Sequence, residues 1–378
     1  MTSPEPMTEG PVDAGATLGV EEEYHLVDPE TYALAPCPEL SMAAVRHDLG
    51  TRIRAEITTT QLEVATGICR TLADVRAEIT AARGEAVAAA ASSGAAILAA
   101  STHPFGSWEQ QQITESPRYV AMVERWAALA LQQDICGCHV HVGVPDLETA
   151  VAVMDRARTY LPLLLAMTGS SPFHGGVATG YESYRTLWWS RWPNTGIPEH
   201  FGSADRYREV VEGLVVSGVV ADASNLYWDM RPSWHLPTLE FRLADVCTDL
   251  DAAVLHAALA RSLVRVLADR AERDVPFTPP RSELLRAARW RAARQGLDEQ
   301  LFDPTLGRLV HARDAVTGLL GELEDDLRDR GEWDEVGELV RTLFARGTSA
   351  ARQRGVWLRT GDTRAVAAAV VREVAVPR

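Results

Sequence analysis

Four short stretches of the chain place ionisable side chains at alternate positions. In "GVEEEYHLV", Glu21, Glu23 and His25 share one side while Val20, Tyr24 and Leu26 share the other. In "TTQLEVAT", Gln61 and Glu63 oppose Leu62 and Val64. In "CGCHVHVG", His139 and His141 oppose Cys138, Val140 and Val142; in "PTLEFRLAD", Glu240 and Arg242 oppose Leu239, Phe241 and Leu243. A period of two is that of a β-strand. Each stretch is therefore predicted to be a strand with one apolar face for packing under helices. Its second face carries carboxylates, imidazoles or arginine. Merely wet sheet faces favour Thr, Ser, Lys and Gln. Four glutamates gathered on one surface stay ionised only with cations among them. Oxygen-rich sets of this kind suit magnesium or manganese rather than zinc, and Mg²⁺ usually keeps part of its shell for water and substrate phosphates. The pattern points to a magnesium–nucleotide platform.

Two other metal chemistries compete for the same residues. The cysteines of "CGCHVH" face away from the histidines, so one tetrahedral zinc ion cannot collect all four. A His-x-His pair also marks metal-dependent amidohydrolases, where it sits on an early barrel strand followed by further His and Asp ligands on a βα repeat. Here the pair lies mid-chain, the βα rhythm is missing, and glutamates stand where that family needs histidines. "HGGVATG" has neither the spacing nor the lysine of a phosphate-binding loop.

The chain has 378 residues and contains no lysine, so all 37 of its Lys+Arg positions are arginine. A P-loop lysine and a Schiff-base lysine are excluded; phosphate must be met by arginine, metal or backbone amides. A net charge of −15 disfavours nucleic acid and anionic membrane as partners. Five scattered cysteines suit a reducing compartment better than a disulfide framework. The N-terminus lacks the basic and apolar regions of a signal peptide, and no apolar run reaches a membrane span of ~18 residues. These features predict a cytoplasmic protein acting on small molecules.

The elements that must position the site alternate irregularly. Residues 1–15 read as a disordered tail. Strands are expected near 17–27, 52–66 (a pair), 95–101 and 135–143, and in "NLYWDMRPS" and "PTLEFRLADV". Helices are expected near 38–48, 118–133, 146–168, 204–216 and 249–272, and from "TLADVRAEITAARGEAVAAAA", where Thr71 and Asp74 form a capping box. Residues 169–200 read as loop, and the chain beyond 280 as helical almost throughout. Strands crowd the first two-thirds, giving an α+β class. The expected domain runs over 16–378, with a sheet-rich core at 16–275 and a helical region at 276–378.

"TLGVEEEYHLVD", "QLEVATGIC", "STHPFGSW", "CHVHVGVPD", "SSPFHGG…SYRTLWWSRWPNTG" and "LYWDMRPSWHLPTLEFRLAD" occur in order over residues 17–250. Together they resemble the bacterial carboxylate–amine ligases, also described as glutamate–cysteine ligase type 2. The resemblance implies a glutamine-synthetase-like fold, with a curved, mainly antiparallel sheet, helices on its convex face, and ATP and a divalent metal on its concave face. It implies amide formation, with weak glutamate–cysteine ligase activity, by a homodimer. Site residues carry over as metal ligands Glu21, Glu23, Glu63, Glu240 and His139. Arg185 becomes a clamp for the substrate carboxylate, with His141 orienting at the substrate site. "TTT" at Thr58–Thr60 departs from relatives that have Glu or Ser there, which leaves the metal count open.

The implied chemistry has two steps. A carboxylate, the γ-carboxylate of glutamate, attacks the γ-phosphoryl of ATP, and an amine such as that of cysteine then displaces phosphate. Arg242 and Arg231 would donate to phosphoryl oxygens in place of the absent lysine. The tryptophans of "WWSRW" read either as core or as a lid excluding water, and His103 as a residue shaping the site wall. The runner-up readings are a non-catalytic nucleotide- or metabolite-binding module of the same fold, and an amidohydrolase.

Overall fold

The computed structural model describes residues 13–374. Most of the expected tail lies outside them, and from Asp13 onward the chain is anchored. Gly15 donates its N–H to Gly143 O at 2.8 Å with φ +75°, and a Cβ there would stand 2.2 Å from Arg265 Cγ. Only glycine fits that approach.

Seven strands build the main sheet: β1 (Leu18–Val27), β2 (Ile53–Ala55), β3 (Gln61–Ala65), β4 (Ala96–Leu98), β5 (Gly137–Gly143), β6 (Met230–Pro232) and β7 (Thr238–Asp245). Their order is β6-β7-β5-β1-β3-β2, with β4 also pairing β1, and every pairing is antiparallel. The βα barrel that an amidohydrolase needs is therefore ruled out by topology. The apolar faces inferred from alternation are buried: Val20, Tyr24, Leu62, Val140, Val142, Leu239 and Phe241 are at most 2% exposed. Each such side chain contributes on the order of 1.5–3 kcal/mol.

The Leu250–Glu272 helix lies in the layer covering that face, with the Leu72–Ser92 and Leu147–Ala157 helices beside it. The Leu72–Ser92 helix starts at the expected capping box, the Thr71 hydroxyl accepting from Asp74 N–H and the Asp74 carboxylate accepting from Thr71 N–H. One contiguous apolar cluster runs from Leu18 through Leu343, so the C-terminal helices share the core of the sheet.

Several local expectations are corrected. The helix expected over 146–168 is two, Leu147–Ala157 and Leu161–Thr168, because Pro162 has no N–H to continue the ladder. The one near 118–133 breaks at Ala127, whose φ is +48°. The "loop" 169–200 holds a Tyr184–Trp189 helix and a small hairpin, Phe173–His174 with Val177–Ala178, turned by Gly175 and Gly176 at positive φ. A second hairpin, Gln300–Asp303 with Arg308–His311, interrupts the helical region; Asp303 accepts from Thr305 and Leu306 N–H, and Gly307 closes the turn.

Candidate active site

Strand register assembles the polar face. Glu21 pairs with His139, Glu23 with Glu63, and Glu240 with both His141 and Arg231. Arg54 on β2 stands opposite Glu63. A band of charged residues thus crosses β6, β7, β5, β1, β3 and β2, with His139 near its centre. His139 Nδ1 is 3.4 Å from Glu21 and 3.9 Å from Glu240, and its Nε2 is 3.7 Å from Glu23. His141 Nε2 is 3.5 Å from Glu21, while its Nδ1 lies 2.9 Å from the Thr238 hydroxyl.

Alternation carries into β7 with one irregularity. A bulge between Phe241 and Ala244 inserts an extra residue opposite β5 and re-aims the strand locally. Arg242 sits there; its backbone N–H donates to Asp229 O at 2.8 Å, and its Nη1 donates to the Glu240 carboxylate. Its Nε is buried and has no partner. Arg185 holds the same bulge from beside it, donating from Nη1 to Leu243 O at 3.1 Å and from Nη2 to Arg242 O at 3.2 Å. These bonds give Arg185 a structural task beside the substrate-carboxylate clamp expected of it, and its Nε is buried with no partner. A Cβ at Gly137 would stand 2.5 Å from Arg185 Nη2, so a side chain there would push the guanidinium aside. Arg231 bonds Glu240 Oε2 at 2.8 Å, and its Nη1 reaches Ser224 O and Leu226 O. It therefore anchors the loop before β6 as well as the carboxylate.

The carboxylates differ in their electrostatics. Burial pushes Glu21 up, but His141 and His139 outweigh it and hold this carboxyl well below the usual range. Burial likewise opposes ionisation of Glu240, and Arg231, Arg242 and the two histidines overcome it. Glu63 goes the other way: burial, then Glu21, Glu56 and Glu23, raise it well above its ordinary value despite Arg54. Burial and Arg242 lower His139, whereas Glu21 and Glu240 outweigh burial at His141 and raise it. Ionised Glu63 thus lacks sufficient positive charge nearby.

Sequence reasoning missed three members of this site. Arg54, half exposed, donates from Nη1 to Glu21 at 2.7 Å and to Glu63 at 3.3 Å, so it is the positive group between acidic neighbours. Glu56, in the turn between β2 and β3, is pushed up to about 7 by burial and by Glu23, against the pull of Arg118. Arg118, at the start of the Pro117–Trp126 helix, acts in turn on Glu56 and Glu63. The spacing "RAE" before "QLE" offered a weak cue for Arg54 and Glu56. Nothing in the sequence brings Arg118 to them.

The donor set fits a hard divalent cation. One ligand atom each from Glu21, His139 and Glu240 lies within 4.8 Å of the others, and the same holds for Glu23, Glu63 and His139. These groups are oxygen-rich, with one imidazole and no thiol, which suits Mg²⁺ or Mn²⁺. Cys138 belongs instead to the apolar core.

The remaining motifs frame the site. His103 is a turn residue: its Nδ1 accepts from Gly106 N–H at 2.6 Å, leaving Nε2 to meet Tyr32 O at 2.8 Å. Trp188, Trp189 and Trp192 donate their indole N–H groups to Gln132 O, Tyr227 O and the Gln133 side chain. The tryptophans form a fixed wall rather than a free lid. A cavity of about 480 Å³ between the Leu161–Thr168 and Ala312–Asp329 helices, under the second hairpin, shares no residue with the polar face.

Comparison with known proteins agrees with this geometry. The model of the glutamate–cysteine ligase family 2 matches residues 17–368. A Rhodopirellula baltica protein named "Putative glutamate--cysteine ligase 2" is 38% identical over 363 residues, covering 94% of this chain and 96% of that one. A Saccharopolyspora erythraea protein, "Putative glutamate--cysteine ligase 2-1", is 41% identical over 346 residues, covering 92% of this chain and 91% of its own. Among solved structures, the glutamate–cysteine ligase of Francisella tularensis in complex with AMP superposes with a TM-score of 0.71 at 13% identity, over 98% of this chain and 89% of that one. A bifunctional glutathione synthetase from Pasteurella multocida gives 0.67 at 18% identity; this chain spans 52% of its length. The α+β architecture is that of these glutamine-synthetase-like structures.

Proposed function

Because the chain belongs to the glutamate–cysteine ligase family 2, we propose that it is an ATP-dependent carboxylate–amine ligase, activating the γ-carboxylate of glutamate and passing it to the amine of cysteine. The observation that carries this reading is the convergence of Glu21, Glu23, Glu63 and Glu240 around His139 on one sheet face. Those five residues, with Glu56 at the edge, would hold Mg²⁺. The ion, when bound, supplies charge neutralisation on the ATP phosphates.

The chain's own residues do the rest. Arg242, with its unpartnered Nε, is the donor for the transferring phosphoryl group, its Nη1 steadied by Glu240. Arg231 fixes Glu240 from the other side, and His141, oriented by Thr238, faces the substrate beside Glu21. In the first step a glutamate γ-oxygen bonds to the γ-phosphorus and ADP leaves. In the second, the neutral amine nitrogen bonds to the acyl carbon, the carbon–oxygen bond to phosphate breaks with its electron pair leaving on phosphate, and the nitrogen gives up one proton to the departing phosphate as the amide forms. Positioning and charge neutralisation account for most of the rate in such transfers.

The test is phosphate release from ATP with Mg²⁺ across pairs of amino acids, with mass spectrometry of the product. A γ-glutamyl amide formed with stoichiometric phosphate supports the assignment. Tight ATP binding without turnover on any pair identifies a non-catalytic binding module instead.

A further inference from the structure

The groove between the Leu161–Thr168 and Ala312–Asp329 helices takes no part in the chemistry described above. Its volume, about 480 Å³, falls in the range that holds a small molecule. The floor is apolar: Leu301, Leu319 and Ala288 are at most 5% exposed, and Leu163 and Phe302 flank them.

The rim is acidic. Asp314, Gly318 and Glu322 line the groove at successive turns of the Ala312–Asp329 helix, and all three are exposed. That spacing sets the two carboxylates about 12 Å apart along the helix axis. Asp314 has no hydrogen bond or ion pair among the described residues. Glu322 accepts from the Tyr160 hydroxyl at 2.7 Å and from Arg270 Nη1 at 2.8 Å, both on Oε2. Arg308, the one basic residue on the lining, stands across the hairpin from Asp303. Those two offset each other, and the rim keeps a negative excess.

Between the carboxylates, Gly318 presents no side chain. Glycine inside a helix weakens it relative to alanine, and a Cβ built here would meet no atom within 4 Å. The middle of the rim is therefore open down to the floor. An apolar trough bordered by two separated negative charges is complementary to an alkyl chain with a positive charge at each end.

We propose that this groove binds a long aliphatic diamine or polyamine, its methylenes on Leu301, Phe302 and Leu319 and its terminal ammonium groups at Asp314 and Glu322. The floor connects to the catalytic frame. Ala288 is followed by Arg289, which donates from Nε and Nη2 to the buried Asp229 carboxylate at 2.6 and 2.9 Å. Asp229 O in turn accepts the Arg242 N–H at 2.8 Å. Occupancy of the groove thus bears on the Ser282–Gln295 helix that helps set Arg242, and the bound amine acts as an effector of turnover. The effector role rests on the ligase reading above; the binding does not.

Calorimetric titration of the full chain with α,ω-diaminooctane reads the binding directly, with no substrate present. Saturable binding is expected in the wild type. Asp314→Asn removes charge and leaves the space, whereas Gly318→Leu fills the space and leaves the charge. Each is expected to weaken binding by at least about tenfold while the unfolding midpoint stays close to wild type. Diaminopropane, equally charged but too short to reach both carboxylates, is expected to bind at least about tenfold more weakly than diaminooctane. No saturable binding in the wild type, or unchanged affinity in either variant, overturns the site. Equal affinity for the two diamines overturns the two-ended recognition. With ATP, Mg²⁺, glutamate and cysteine, saturating diaminooctane is expected to change the wild-type kcat at least about twofold and to leave Gly318→Leu unaffected. An equal kcat with and without the diamine overturns the effector role alone. A wild type that turns over no substrate pair overturns the ligase reading, and the calorimetric result is read independently of it.

Discussion

Arg83 grips Glu22 from the helix side of the sheet, its Nη2 2.6 Å from Oε1 and its Nε 2.8 Å from Oε2. The same guanidinium donates to Cys247 O at 2.7 Å and Thr248 O at 2.9 Å, and Tyr24 donates its hydroxyl to Glu22 at 2.7 Å. The middle glutamate of "EEE" is thus a strut under β1, tying it to the end of β7. Its neighbours Glu21 and Glu23 are left on the opposite face.

Breaking that strut should be expensive. Removing one partner of a buried ion pair costs about 3–5 kcal/mol, so Arg83→Met is expected to lower unfolding stability by that much in urea titrations. Replacing both partners, Glu22→Met with Arg83→Met, should recover most of it. A loss under about 1 kcal/mol in the single variant would show that the pair is not structural.

Glu21→Gln and Glu23→Gln keep size and shape but remove the charge facing His139. Each is expected to abolish Mg²⁺-dependent phosphate release while the circular dichroism spectrum and unfolding midpoint stay close to wild type. Normal turnover in both variants removes the metal assignment.

Arg54 is paired with Glu21 and Glu63, two carboxylates that a bound cation would share. Arg54→Gln removes one positive charge from the face, so Mn²⁺, followed by titration calorimetry or paramagnetic relaxation, is expected to bind more tightly, on the order of tenfold for about 1.4 kcal/mol of repulsion relieved. Weaker binding would mean that Arg54 organises the carboxylates rather than competing for them.

Arg242 shares its guanidinium between Glu240 and an unpartnered Nε. A lysine ammonium cannot reproduce that fork. Arg242→Lys is therefore expected to lose on the order of 10²-fold in kcat, with a smaller change in ATP affinity. An unchanged kcat assigns Arg242 to structure alone.

His103 predicts an acid-sensitive fold. Burial lowers its pKa to about 4, against the pull of the Tyr32 carbonyl, and its Nδ1 must stay unprotonated to accept from Gly106. Between about 4 and the unfolded value near 6.5, the unfolded chain binds the extra proton, so stability rises with pH across that window and is lost on acidification. The contribution is on the order of 3 kcal/mol. His103→Asn keeps an acceptor for Gly106 N–H, and its unfolding free energy is expected to fall less steeply between pH 6.5 and 4. An identical slope would exclude His103 as a source of the acid sensitivity.

Much of the platform was legible because alternation is a local property. Once "VEEEYH", "QLEV", "CHVHV" and "LEFRL" are strands, their glutamates, histidines and Arg242 must share faces opposite the valines and leucines. Thr71 and Asp74 announced their helix start by the same local logic. The hairpin at 300–311 was overlooked although "DPTLG" carries its turn chemistry, because the surrounding Ala, Leu and Arg content reads as helix. Arg185 was legible as an important arginine, but not as the support of a bulge that no period-two count can show.

The sequence by itself determined which side chains lie on the polar side of each strand, since backbone geometry dictates that residue by residue. It also excluded lysine chemistry. Tertiary structure alone decided the neighbours: Glu21 across from His139, Glu23 across from Glu63, and Arg54 between two acids. Those contacts depend on strand order and register, which are set by packing between segments far apart in the chain, and a slip of one residue would turn a whole strand's side chains over.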